Sequence, residues 1–308
     1  MHSREGVAVT CWYSARATME TTATFQSAAL TALAGLSATG PIDLRTVSLS
    51  PGRAVFAASS VLKGVFIKVY DDAGPLSAEV CNLEVAARAG LPTPRALRFI
   101  DESTPAVLVM TAIAGRRIRA SDPADTWREL GAVVRRIGKI EMPPDPSMPP
   151  WAALVVGRLR RELDQWVELE LTTRDAAATL VDALEAMGPT LATRPLTFTH
   201  NDLQADHVLV DPSSGRLLGL VDFADARTAD PLLDLAVVSM DDGAPTDELL
   251  AGFGDTGPHG EDLIPWYRLV KRIGAANWLQ NQGLTERAHV EVAAGQKLVQ
   301  AFLIGRHG

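Results

Sequence analysis

The chain has 308 residues, 47% of them hydrophobic and 21% charged, a balance that excludes wholesale disorder and suffices for two lobes with cores of their own. Its 29 Lys and Arg stand against 37 Asp and Glu, and the net charge of −8 argues against a general binder of nucleic acid or anionic membrane and for cationic or neutral small molecules. The two cysteines, Cys11 and Cys81, form no Cys-x-x-Cys pair, which argues against a disulfide framework or a cysteine zinc site and fits a reducing cytoplasm.

Residues 1–18 read as an irregular leader whose short apolar patch, Val7–Tyr13, does not make a secretory signal; Met1 and Met19 are both open as natural starts. No apolar run approaches the ~18 residues of a membrane helix. Helical composition follows over 23–36. Leu44–Leu49, Ala54–Ala58 and Val65–Tyr70 then read as strands, separated by turns at Pro51-Gly52 and Lys63-Gly64. Ser77 can cap a helix that buries Val80, Leu83 and Ala87 and stops at Gly90 and Pro92. Arg95–Ile100 and Ala106–Met110 complete a small α+β lobe.

Beyond Ala114-Gly115 the chain turns mainly helical. Ser121-Asp122-Pro123 starts a helix that continues through Trp127, Leu130, Val133, Val134 and Ile137 at helical spacing. Five prolines make 141–150 a loop. Further helices are expected at 151–171, 174–187, 231–240, 245–253, 261–281 and 285–304, with short strands at Val208–Val210 and Leu217–Val221 between them.

One glycine motif is a decoy. Gly252-Phe253-Gly254-Asp255-Thr256-Gly257 matches Gly-x-Gly-x-x-Gly, yet a helical stretch precedes it where a dinucleotide fingerprint needs a strand, so it reads as a loop. Gly35 and Gly40 have P-loop spacing, but Pro41 stands where Lys is required.

The informative segment runs from Thr199 to Asp211, His200-Asn201-Asp202-Leu203-Gln204-Ala205-Asp206-His207 at its centre, and is followed by Val221-Asp222-Phe223-Ala224-Asp225. A loop, a strand, a turn and a returning strand would bring Asp202, His207 and Asp222 to one end of a small hairpin. One carboxylate could then accept a proton from a hydroxyl while the imidazole and the other acid hold a divalent ion. Phosphoryl transfer needs such a set, because its chemistry is mostly positioning and charge neutralisation. Singly, each residue also reads as a capping Asp, a core His or a turn Asp.

These residues, with Asp230-Pro231 and Asp234-Leu235-Ala236 beyond them, resemble the catalytic core of the aminoglycoside phosphotransferase family, over roughly residues 40–281. The resemblance implies an α+β, protein-kinase-like two-lobe fold, with a small β-rich N-lobe over 19–111 and a larger, mainly helical C-lobe over 112–308. Asp202 would be the catalytic base, His207 and Asp222 the Mg²⁺ ligands, and ATP or GTP the donor. His207 departs from the usual Asn of the family, which matters because Mg²⁺ prefers oxygen. Gln204 replaces the catalytic-loop Lys of protein kinases and points to the small-molecule branch. His200 would fix the loop, Asp230 would bond loop backbone and Asp234 would cap a helix.

By the same resemblance Lys68 pairs the α- and β-phosphates. A charge inside an apolar strand needs a partner, and the next helix offers Glu79 or Glu84. These lie about 140° apart around a helix, so only one can face Lys68, and Glu79 has the family's spacing to Pro92. Ser50 and Gly52 occupy the place of the phosphate-covering loop, where a plain hairpin turn is the other reading. Met110, Thr111 and Ile113 fall on the family's hinge, with the Thr111 and Ile113 backbone reading a purine edge and Met110 lining the pocket. Seven acidic residues and no Lys or Arg lie between Asp241 and Asp262, and Asp241 and Asp242 are candidates for binding a cationic acceptor; a solvated acidic face is the alternative. The implied protein is a cytoplasmic O-phosphotransferase of aminoglycoside-type antibiotics. A macrolide or other antibiotic, a homoserine- or choline-like metabolite, and a nucleotide-binding pseudokinase stay open.

Overall fold

A computed structural model describes residues 22–36, 40–142, 148–240 and 243–305. The leader at 1–18, the start at Met19 and residues 143–147 of the proline-rich loop lie outside the described residues. The chain divides into two compact units. The first runs through Arg117 and adds His207–Ala226; the second comprises Ile118–Asp206 and Arg227–Gly308. This partition differs from a single break after Thr111, because β6 (Arg116–Arg117) pairs with β8 (Val208–Val210) and β8 with β9 (Leu217–Leu220), which returns that hairpin to the first unit.

In the first unit, β1 (Arg45–Ser50), β2 (Arg53–Ala58), β3 (Val65–Tyr70), β4 (Ala96–Ile100) and β5 (Ala106–Thr111) form an antiparallel sheet in the order β1-β2-β3-β5-β4. Strand residues alternate between faces. Val65, Ile67 and Val69 of the central β3 therefore join Phe56, Val107 and Val109 on one face, packed with Phe25, Ala29 and Leu33 of α1, which is helical over 22–33. The other face sets Phe66, Tyr70, Leu108 and Met110 against Leu76 and Val80 of α2 (Gly74–Arg88). Lys68 shares the register of that second face. The α2 helix starts before Ser77 because Pro75 supplies a pre-set first turn and Asp72 accepts the Gly74 amide at 2.9 Å. Its inward residues are Leu76, Glu79, Leu83 and Ala86, with Ala87 exposed.

The second unit is helical: α3 (Ala124–Ile137), α4 (Trp151–Glu168), α5 (Arg174–Glu185), α6 (Gly188–Ala192), α7 (Leu232–Val238), α8 (Thr246–Phe253), α9 (Gly260–Asn281) and α10 (Thr285–Gly305). The helix expected over 174–187 ends at Glu185, and the short α6 follows with Pro189 in its first turn. One small ribbon, β7 (Thr197–Thr199) paired with β10 (Arg227–Ala229), interrupts the helices. Helix α9 buries Leu263, Trp266, Tyr267, Leu269, Val270 and Ile273 and packs against α4, α7 and α10. Among the described residues no helix is long and apolar enough to cross a membrane.

Candidate active site

Lys68 meets the need of a buried ammonium for counter-charge through two carboxylates. Its Nζ lies 2.7 Å from both oxygens of Glu79 and 2.8 Å from Asp222 Oδ1, and Lys68 and Glu79 are only 7% and 0% exposed. Burial alone would push the Lys68 ammonium down; Glu79 and Asp222 together outweigh it and hold Lys68 above the ordinary lysine range. Glu84 instead faces outward and pairs with Arg88 at 3.1 Å.

Asp222 and His207 reach the same place from the β8–β9 hairpin. Val208 pairs with Leu220, and the Val221 amide donates to the His207 carbonyl at 3.0 Å, so His207 and Asp222 leave the hairpin side by side. His207 Nε2 is 3.7 Å from Asp222 Oδ2. Asp222 sits at φ +68°, a left-handed backbone that an L-residue adopts only under local constraint. Part of that constraint comes from Asn82, whose Nδ2 donates to the Phe223 and Ala226 carbonyls, both at 2.9 Å. Thus α2 holds Lys68 through Glu79 and the segment after Asp222 through Asn82.

This set has the chemistry for one divalent cation. One imidazole nitrogen and one carboxylate oxygen converge, while the other Asp222 oxygen bonds Lys68. No group of three His, Cys, Asp or Glu with metal-ligand spacing occurs among the described residues, so phosphate and water oxygens would have to complete the shell, as Mg²⁺ commonly requires.

Pro51 and Gly52 form the tight β1–β2 turn. Gly52 supplies the positive φ of +72°, its carbonyl accepts the Asp71 amide at 2.9 Å, and the Ser50 hydroxyl accepts from Arg53 Nε at 2.9 Å. That geometry accounts for both residues as a hairpin turn. Met110 is buried at the end of β5. The Thr111 amide donates to the Arg95 carbonyl at 3.0 Å and the Ile113 carbonyl accepts from Gly115 at 3.0 Å.

Asp202 belongs to the second unit, on the loop leaving β7. The buried Asp234 accepts the His200 amide at 2.8 Å and the Asn201 amide at 2.7 Å, and Lys271 Nζ donates to the Asn201 carbonyl. Gln204 Nε2 donates to Asp202 Oδ1 at 2.9 Å. Burial pushes the Asp234 carboxyl up to about 7, against the pull of the two amides and of Lys271. The expected roles of Asp230 and Asp234 are exchanged. Asp234 bonds the loop backbone, whereas Asp230 accepts the Leu232 amide at the start of α7 at 3.0 Å. Asp230 also receives Arg194 Nε at 2.7 Å and the Tyr267 hydroxyl at 3.1 Å. Asp241 and Asp242 lie outside the described residues. The glycine motif expected as a loop is one only in part: Gly252 and Phe253 close α8, and Gly254 caps its end.

Sequence reasoning missed Asn82, Arg194, Tyr267 and Lys271. A signal existed for two of them. Tyr267 and Lys271 stand one helical turn apart, hydrogen-bonding groups on a helix otherwise apolar on that side. Asn82 and Arg194 bond backbone carbonyls distant in sequence, which no local pattern announces.

A family model for the phosphotransferase enzyme family matches residues 61–266, and the chain belongs to that family. It is 27% identical over 179 residues to an aminoglycoside 3'-phosphotransferase of Streptomyces fradiae, 54% of this chain and 64% of that protein. It is 29% identical over 176 residues to the aminoglycoside 3'-phosphotransferase of Streptomyces ribosidificus, 54% of this chain and 65% of that protein. The chain thus spans slightly less than two thirds of the length of these relatives. Among solved structures, an aminoglycoside-3'-phosphotransferase of type VIII superposes with a TM-score of 0.59 at 26% identity, over 80% of this chain and 98% of that one. A thermostable mutant of another aminoglycoside phosphotransferase, in its apo form, gives a TM-score of 0.67 over 85% of this chain and 96% of its own; at 17% identity that likeness is one of fold.

Proposed function

We propose that the protein is a nucleotide-dependent O-phosphotransferase that moves the γ-phosphate of ATP or GTP to a hydroxyl of a small molecule, with an aminoglycoside-type antibiotic as acceptor. The observation that carries this reading is the Lys68–Glu79–Asp222 cluster beside His207. With one ammonium against two carboxylates it is net negative, which suits a divalent cation, while the fixed ammonium suits phosphate oxygens. Asp202, on a backbone bonded at three points, accepts the proton of the attacking hydroxyl or orients it. Mg²⁺ held by His207 and Asp222 would neutralise phosphate charge. Supply of nucleoside triphosphate places the reaction in the cytoplasm. The acidic stretch from Asp241 supports a cationic acceptor.

The test is a phosphorylation screen of the full chain with ATP or GTP and Mg²⁺ against aminoglycosides, macrolides and small hydroxylated amines, read by mass gain of one phosphate. An aminoglycoside should gain it, and Asp202→Ala should lower turnover by ~10²–10⁴ with nucleotide binding retained. Nucleotide binding without transfer to any acceptor would instead mark a pseudokinase. Exclusive modification of a neutral macrolide would overturn the cationic acceptor.

A further inference from the structure

The Asp202 loop is bonded to α9 as well as to α7. Its backbone turns left-handed at Asn201, φ +66°, a conformation that strains any residue with a side chain although Asn tolerates it better than most. His200 and Asn201 are 0% and 4% exposed, so their polar backbone groups need partners. Asp234 accepts both amides. The Asn201 carbonyl accepts from Lys271, a half-buried lysine 70 positions further along the chain. Tyr267, one turn earlier on the same face of α9, donates to Asp230, which in turn accepts the first amide of α7. One face of α9 therefore grips the start of the helix that carries Asp234 and, through Lys271, the loop that Asp234 holds.

A neutral donor would satisfy the carbonyl as well, so the charge calls for its own explanation. Burial pushes the Lys271 ammonium down; Asp202 is the principal charge that opposes this, with Asp234 adding to it, while Arg158 and Arg227 repel it. Burial wins, and Lys271 lies below the ordinary lysine range, with the Asp202 charge as the largest effect opposing it.

We propose that Lys271 is the positioning residue of the reaction: it fixes the left-handed Asn201 peptide and sets, by hydrogen bond and charge together, where the Asp202 carboxylate stands. The proposal rests on the reading of Asp202 as the group that meets the acceptor hydroxyl.

Lys271→Met removes bond and charge, Lys271→Gln keeps a donor without the charge, and Lys271→Arg keeps both. In Lys271→Met, kcat should fall about tenfold to a hundredfold, the scale of a slightly misplaced reactive group, with the nucleotide KM unchanged. Lys271→Arg should recover most of that loss and Lys271→Gln only part of it. Hydrogen exchange over 199–204 gives a readout independent of turnover. The His200 and Asn201 amides should exchange about tenfold faster in Lys271→Met and stay near wild type in Lys271→Arg. If Lys271→Met does not fold, the comparison of Lys271→Gln with Lys271→Arg decides by the same two measurements. Unchanged exchange overturns the proposal, as does faster exchange with unchanged kcat. A wild-type chain that transfers no phosphate refutes the proposed function, and the exchange data then decide the clamp alone.

Discussion

Glu79 and Glu84 lie five residues apart on α2, and their surroundings separate two outcomes for the same chemical deletion. Glu79 is fully buried against Lys68, whereas the Glu84 side chain is 60% exposed beside an exposed Arg88. Removing one partner from a buried ion pair typically costs ~3–5 kcal/mol, because the remaining charge keeps its desolvation penalty. Asp222 still answers Lys68 in a Glu79→Ala variant, so the lower end, ~3 kcal/mol, is expected. Glu84→Ala should change stability by less than ~0.5 kcal/mol, as exposed pairs do. Urea denaturation of both variants checks the pair, and equal effects would refute this account of α2.

At the scale of elements, α3 and α8 meet through glycine. A Cβ on Gly131 of α3 would run into the Leu249 carbonyl of α8, and one on Gly252 into the Arg128 carbonyl of α3. Neither obstacle is a flexible side-chain end, so the helices would have to separate. Gly157 of α4 is the control, since its Cβ would find only Arg161 Nη1 at 3.7 Å. Gly131→Ala should destabilise by ~1–3 kcal/mol through overpacking, despite a helix-propensity gain approaching ~1 kcal/mol. Gly157→Ala should realise that gain and raise the melting temperature. A stabilised Gly131→Ala would mean that α3 and α8 pack less closely than the structure gives. Elements of this size were legible in the sequence because their periodicity runs over several turns; α3 announces itself by Trp127, Leu130, Val134 and Ile137. The ribbon strands β7 and β10 have three residues each, too few for a period-two pattern, and β6 has two. In the site, the spacing of Asp202, His207 and Asp222 and the charged break in β3 were readable along the chain. The exchanged duties of Asp230 and Asp234 were not, since both are acids at the entrance to one helix and only tertiary placement tells which meets the loop.

For the whole molecule, the buried polar clusters make stability a function of pH, and Asp234 is the clearest case. Its carboxyl titrates near 4 in an unfolded chain and at about 7 in the fold, because burial disfavours the charged form more than the His200 and Asn201 amides favour it. Between those values the folded state keeps a proton that the unfolded state releases. The contribution is therefore complete below the unfolded value and is lost as pH rises through about 7, at ~1.4 kcal/mol per unit over the interval. From pH 5 to pH 8 the wild-type chain should lose roughly 2–3 kcal/mol from this group alone. Asp234→Asn cannot titrate, and its single side-chain oxygen leaves the two loop amides sharing one acceptor. The variant should be less stable at pH 5, yet its free energy of unfolding should fall less steeply toward pH 8. Denaturation at three or four pH values measures the difference between the two slopes, in which the titrations common to both chains cancel. Parallel curves would mean that Asp234 stays ionised throughout, with the amides and Lys271 outweighing its burial.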